Sequence, residues 1–247
     1  MSSTAAVILA AGQGTRMKSD LPKVLHTIDE RPMVSYVVDT VRRAGIERVL
    51  VVVGYQADRV RSALGQSEGL EFVLQEEQLG TGHAVIQCEA ALAGLDGTVV
   101  VLSGDVPALR TGTLVDFIGH HREQAAVATV MSARVPDATG YGRIVRGDDG
   151  GFARIVEHKD ASEEERMIDE INAGLYCFER GPLFSALKQT DRANAQNEYY
   201  LTDVIEKLSG RGLPVSAWCV SDAREVAGVN TVAELEAIRE FMRGGGR

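Results

Sequence analysis

This chain carries little that would staple it, anchor it or spread it over a polyanion. Its 247 residues include only three cysteines, Cys88, Cys177 and Cys219, an odd number set far apart among apolar neighbours. That pattern excludes a disulfide framework and a C-x-x-C metal clip, and leaves core thiols in a reducing compartment. The five histidines are no better spaced for zinc: His120 and His121 share a polar helix end, and His26, His83 and His158 stand alone. No apolar run approaches the ~18 residues of a membrane span, and no basic segment precedes the first short one. Neither a membrane helix nor a signal peptide is expected, and a cytoplasmic protein is. Positive charge is also scarce: 26 Lys and Arg against 35 Asp and Glu give a net charge of −9. No broad basic surface for nucleic acid fits that balance. If so acidic a protein binds phosphates, it must gather its cations in one place.

The stretch 5–23, AAVILAAGQGTRMKSDLPK, gathers them. Ala5 to Ala10 is an unbroken apolar run, as expected of a strand covered on both faces of a parallel sheet. Gly12 and Gly14 then let the backbone turn tightly and bring its N–H groups near a ligand, and Arg16 and Lys23 add charge. Such a loop at the carboxyl end of a first strand is where open α/β sheets bind phosphates. Two standard fingerprints fail. The dinucleotide pattern needs Gly or Ala where Met17 stands, and the P-loop needs Gly-Lys-Ser/Thr where Met17, Lys18 and Ser19 stand. By spacing alone the stretch also fits an ordinary strand-to-helix turn.

Downstream, the pattern predicts a helix over 32–44, a strand over 48–53, a helix over 56–64 and a strand over 70–74. That β-α-β-α-β order selects a Rossmann-like, doubly wound, mostly parallel sheet. A polar loop, 75–82, precedes a helix over 83–92, which His83 opens, and the apolar strand 98–102 leads straight into Asp105. A helix over 111–122 and a strand over 125–133 follow. From 136 the texture changes to short antiparallel strands and a charged run, through INAGLYCF at 171–178, read as a small β region inserted beside the main sheet. Helices over 182–188 and 197–208, a strand over 215–220 and a helix over 232–242 complete the chain. Thr231 and Glu234 form a capping box for the last helix, and the glycine-rich tail is read as flexible. Composition, 45% hydrophobic and 25% charged, suits one domain with a large core.

The strand ends place Gly12, Gly14, Arg16, Lys23, the 75–81 loop and Asp105 around one site. Two cations and a carboxylate at a backbone cradle suit a polyphosphate with Mg²⁺, which takes one or two protein oxygens. No Ser-His or Cys-His pair stands there, so phosphoryl or nucleotidyl transfer by positioning is favoured over covalent catalysis.

LAAGQGTRM with Pro22-Lys23, Gln75 with QLGTGHA, GDVP at 104–107, TGYGRI at 139–144, VEHKDA at 156–161, EINAG at 170–174, EYYLTD at 198–203 and GVN at 228–230 resemble, in order, the bacterial N-acetylglucosamine-1-phosphate uridyltransferases. The resemblance implies UTP and N-acetylglucosamine-1-phosphate as substrates, with Mg²⁺ held by Asp105 and Asn230. It places Leu9, Ala10, Ala11, Gly12 and Gly14 around the nucleotide, Arg16 and Lys23 on the triphosphate, and Gln75, Gly80 and Thr81 at the uracil, with Gln78 supporting that loop. Gly142, Glu157, Asn172 and Thr202 would contact the sugar, with Tyr200 beside them. A nucleotide-binding half over about 1–110 and a sugar-binding half over about 111–230 are expected, with 231–247 as a terminal helix and tail. Gln13 departs from the Lys of many relatives. The family's second half, a β-helix acetyltransferase that makes trimers, has no counterpart in these residues, so acetyl transfer is not expected of them and a monomer is. A uridyltransferase for glucose-1-phosphate, a cytidylyltransferase and a non-catalytic nucleotide-sugar binding protein are the alternatives.

Overall fold

A computed structural model describes residues 3–192, 194 and 197–245. The first half runs β1 (Ser3–Ala10), two 3₁₀ turns (Thr15–Met17 and Lys23–Leu25), a ribbon of β2 (Thr27–Ile28) and β3 (Arg31–Pro32), α1 (Met33–Arg43), β4 (Arg48–Val53), α2 (Ala57–Leu64), β5 (Leu70–Leu74), α3 (Thr81–Ile86) and β6 (Gly97–Ser103). The second runs α4 (Thr111–Glu123), β7 (Ala128–Arg134), β8 (Arg143–Arg146), β9 (Phe152–Val156), α5 (Glu163–Arg166), β10 (Glu170–Glu179), α6 (Arg180–Leu187), α7 (Leu201–Gly210), β11 (Val215–Cys219), a third 3₁₀ turn (Ala223–Val226) and α8 (Val232–Arg243).

The main sheet has the order β11-β7-β10-β6-β1-β4-β5, with the β8–β9 hairpin joined to the start of β10. β1 pairs in parallel with both β4 and β6, so it lies deep in the sheet. This is why its sequence lacks polar alternation: a strand covered on both faces needs apolar residues at every step. Ala6 and Ile8 face Val51, Val100 and the apolar stripes of α1 and α4, whereas Ala5 and Val7 face Leu50, Val99 and those of α6 and α7. Helices on both faces make the fold doubly wound. Among the described residues no helix is long and apolar enough to cross a membrane.

Three expectations needed correction. The segment INAGLYCF is not part of a peripheral insertion, because β10 runs antiparallel between β6 and β7, with Leu175, Tyr176, Cys177 and Phe178 buried. Only β8 and β9 form the added hairpin. The helix expected from 197 begins at Leu201, since Tyr199 N–H donates to the Leu79 carbonyl and Gly82 N–H to the Tyr199 carbonyl, both at 2.8 Å. Backbone groups committed to a distant loop cannot also build a helix. The helix expected from 83 begins two residues earlier, at Thr81, and as α3 ends at Ile86. The tail expected to be flexible lies partly outside the described residues.

Candidate active site

The carboxyl ends of β1, β5 and β6 open into a cleft of about 240 Å³, lined by Leu9 to Gly12, Lys23, Gln75, Gln78, Gly80, Thr81, Ser103, Asp105 and Glu198. A larger hollow of about 750 Å³ lies at the other end of the strands, against Ser3, Glu47, Arg48 and Arg122. Size does not decide between them, since ligands of open α/β sheets bind outside the strands' carboxyl ends.

The grip at β1 depends on a close approach. Gly14 has φ 72°, and a Cβ there would clash with Lys23 Cβ, so only glycine lets the loop fold back against Lys23. Lys23 Nζ then donates to Asp105 Oδ2 and, at 2.9 Å, to Asn230 Oδ1. Arg16 donates to the same Asn230 oxygen at 2.8 Å. Asp105 is 5% exposed, and its second oxygen accepts from Ser103 Oγ at 2.5 Å. Val229 N–H donates to the Asp105 backbone carbonyl at 3.0 Å. Glu234 accepts from the backbone N–H groups of Asn230 and Thr231 at 2.6 and 2.9 Å, so the capping box of α8 also fixes the turn that carries Asn230.

Asp105 and Asn230 fit a hard divalent cation. A carboxylate oxygen and an amide oxygen converge on one point, occupied by the Lys23 ammonium, and oxygen pairs of this kind suit Mg²⁺ with water and phosphate completing its shell. Among the described residues no group of three or more His, Cys, Asp or Glu could hold a metal, so Asp105 and Asn230 would supply the protein oxygens and water or phosphate the rest.

Across the cleft, Gln75 is 3% exposed. Its amide nitrogen lies 3.2 Å from the Gly80 carbonyl and 3.1 Å from His83 Nδ1. Gln78 donates to the Gln75 carbonyl at 3.2 Å, which makes it a brace for the loop. Gly80 has φ 100°, and a Cβ on it would stand 2.5 Å from the Tyr199 carbonyl. Leu201 N–H donates to Thr81 Oγ1 at 3.3 Å, so α7 starts from the same loop. Leu9 and Ala11 use their carbonyls on Gly104 and Tyr55 N–H groups, at 2.9 and 3.0 Å.

The third wall comes from the hairpin, β10 and α7. Asn172 N–H donates to the Gly142 carbonyl at 2.8 Å. The Asn172 side chain donates to Tyr176 Oη and accepts from Gly174 N–H, both at 2.9 Å. A Cβ on Gly142 would lie 3.4 Å from a Glu157 carboxylate oxygen, so its absence leaves room beside that group. Glu157 is exposed as a whole residue, but its carboxyl turns toward Gly142 and is partly desolvated. Burial, then Asp160 and Asp203, push its pKa up. Asp203 is raised as well, first by burial and then by Glu206. Tyr200 and Thr202 stand at the start of α7. The pKa of Tyr200 is raised by burial and by Glu198, Glu157 and Asp203, which places it among these carboxylates.

Of the residues expected from the sequence, Leu9 to Gly12, Lys23, Gln75, Gln78, Gly80, Thr81 and Asp105 line the cleft. Arg16 and Asn230 join it through Lys23, and Gly14 packs on Lys23. Gly142, Glu157, Asn172 and Tyr200 gather around the hairpin and β10. The grip residues touch one another directly, whereas Thr202 reaches the wall only through its place on α7. Ser103, Glu198 and Asp203 were given no role by sequence reasoning, and Glu234 and His83 only structural ones at helix starts. Glu234 was visible as a helix cap, but that the same carboxylate also holds the turn of Asn230 required the fold.

A family model described as Nucleotidyl transferase matches residues 5–224. The Bifunctional protein GlmU of Halalkalibacterium halodurans is 50% identical over 243 residues, 98% of this chain and 53% of that protein. The protein of the same name from Pelotomaculum thermopropionicum is 49% identical over 240 residues, 97% of this chain and 52% of its own length. The chain therefore spans about half the length of the curated relatives it matches. A crystal structure of a putative glucose-1-phosphate thymidylyltransferase from Bacillus anthracis, in complex with a sucrose, superposes with TM-score 0.78 at 19% identity, covering 98% of this chain and 96% of that one. That likeness shows the fold.

Proposed function

The chain belongs to the nucleotidyl transferase family, and from that premise we propose that it transfers a uridylyl group from UTP to N-acetylglucosamine-1-phosphate, forming UDP-N-acetylglucosamine and pyrophosphate. The observation that carries the reading is the joint made by Lys23, Arg16, Asp105 and Asn230 at the mouth of β1 and β6. It gathers the cations of an acidic protein where a triphosphate would lie. The relatives that match nearly the whole chain, and the eight motifs in order, support the choice of substrates.

A sugar-1-phosphate has a second pKa near ~6, so at neutral pH its attacking oxygen is already largely dianionic and needs no general base. That oxygen attacks the α-phosphorus of UTP, the bond to the bridging oxygen of the β-phosphate breaks, and pyrophosphate leaves with the electron pair. The obstacle is the approach of two anions. Arg16 and Lys23 would offset that repulsion, the incoming phosphate oxygens replacing Asp105 and Asn230 as their partners, and would hold the leaving group. Backbone groups of residues 9–14 would hold the nucleotide, and Gln75, Gly80 and Thr81 its base. Gly142, Glu157, Asn172, Tyr200 and Thr202 would line the amino-sugar pocket, where carboxylate and amide oxygens can accept from hydroxyls and from the acetamido N–H.

Enzymes of this family use a divalent metal, and Mg²⁺ is the ion proposed here, held by Asp105 and Asn230. When bound it would draw negative charge from phosphate oxygens. The reading also includes two halves around the cleft, a monomer, and a cytoplasmic location.

A pyrophosphate-release panel of UTP, CTP and dTTP against N-acetylglucosamine-1-phosphate and glucose-1-phosphate tests the proposal. UTP with the N-acetylated sugar should give the highest kcat/KM. Equal or faster turnover of glucose-1-phosphate would replace the sugar assignment, and release at background in every well would leave a binding protein.

A further inference from the structure

The His83 ring lies between two amides. Its Nδ1 is 3.1 Å from Gln75 Nε2, and its Nε2 is 3.0 Å from Gln87 Nε2. Tyr199 stacks on it, with centroids 6.1 Å apart and planes 24° from parallel. A neutral imidazole accepts at one nitrogen and donates at the other, whereas an amide nitrogen only donates. One ring therefore cannot accept from both amides, and one of them must present its oxygen instead.

The two amides are not equivalent. Gln75 is 3% exposed, and its Nε2 also lies 3.2 Å from the Gly80 carbonyl. Turning it over would set Oε1 against a carbonyl oxygen with little water to relieve the contact. Gln87 Nε2 also lies 3.3 Å from a carbonyl, that of His83, but Gln87 is half-buried, so water can relieve the contact and its amide is the one that turns. It then accepts from the ring, and His83 carries its proton on Nε2 and accepts at Nδ1 from Gln75.

That assignment uses both N–H bonds of Gln75, one on Gly80 and one on His83. No group among the described residues donates to Gln75 Oε1, so this oxygen is the atom left for the cleft that Gln75 lines. We propose that His83 is a positioning residue for base selection: by accepting from Gln75 it aims the amide oxygen into the cleft. There the oxygen takes the imide N–H of uracil and meets only a lone pair on the ring nitrogen of cytosine. A buried acceptor left facing an acceptor is the kind of mismatch by which sites reject a near-isostere. The inference rests on the uridine reading above.

Two measurements test it. Nitrogen NMR of the wild-type ring, above the histidine titration range, should show Nε2 protonated and Nδ1 as an acceptor. The opposite tautomer overturns the proposal whatever the activity. In pyrophosphate-release assays, His83→Leu should lower the UTP-over-CTP ratio of kcat/KM by about tenfold or more, chiefly through KM for UTP. His83→Asn, whose side-chain oxygen can accept near where Nδ1 stood, should restore most of that ratio. An unchanged ratio in folded His83→Leu overturns the proposal. Should that variant not fold, a wild-type ratio that already favours CTP, or the opposite tautomer, does so. Wild-type protein inactive with every nucleotide would instead remove the uridine reading, and the tautomer would then decide how His83 holds Gln75.

Discussion

At the mouth of β6, Asp105 faces Lys23, whereas across the cleft Glu157 makes no ion pair among the described residues and has Asp160 and Asp203 as its charged neighbours. The grip pairs its one carboxylate with Lys23 before any ligand arrives and holds Arg16 on a neutral amide oxygen. The wall around Glu157 has no such pairing, and burial raises the pKa of Glu157 and Asp203. The difference suits what each side would meet. A phosphate would have to displace a carboxylate from Lys23, so under the proposed reading the grip is ordered before its ligand arrives. A sugar brings neutral donors, which acceptors short of donors can use without importing charge.

The largest effect is expected where that pairing is removed. Asp105→Ala should lower kcat by about 10²–10³ or more, in the range of losing one preorganised electrostatic contact. Near-wild-type turnover in steady-state assays would sink the metal assignment. Lys23→Ala should cost about 10²-fold in kcat yet tighten divalent-ion binding, read by calorimetry on the free protein, because the ammonium no longer competes for Asp105 and Asn230. Weaker ion binding would show that Lys23 organises those oxygens instead. Gly80→Ala joins the two regions: strain at φ 100° and the clash with Tyr199 should destabilise the protein by about 1–3 kcal/mol, measurable by urea unfolding.

On the wall, Asn172→Ala should raise KM for the sugar phosphate about tenfold with kcat little changed, the pattern of lost uniform binding. The smallest effect is a matter of sign. A raised folded pKa means that the stability contribution of Glu157 is present below the ordinary carboxylate range and lost as pH rises through the folded value. Glu157→Gln lacks that loss, so its Tm should exceed wild type near neutral pH and converge with it in acid. A lower Tm at neutral pH would mean that the carboxylate is favourably partnered, and the contrast between the two regions would fail.

Much of this was legible along the chain. The apolar run 5–10, the two glycines and the two cations announced a buried strand and a phosphate loop, because those requirements are local. Thr231 and Glu234 announced the start of α8 for the same reason. β10 was misjudged because Asn172 and Gly174 give its first half the look of a peripheral strand, and only the fold sets its edges between β6 and β7 and covers both its faces with core. The start of α7 was misjudged because helical propensity does not register that Tyr199 is already bonded to Leu79 and Gly82.

The sequence by itself determined the two-faced apolar strands, the glycine turns and the inventory of charges, since each follows from backbone sterics or from alternation along a few residues. The tertiary structure decided which charge meets which: that Lys23 lies on both Asp105 and Asn230, that Glu157 lies near Asp203, and that His83 faces Gln75. Those pairings join residues far apart in the chain through strand order and helix docking, and no local pattern encodes them.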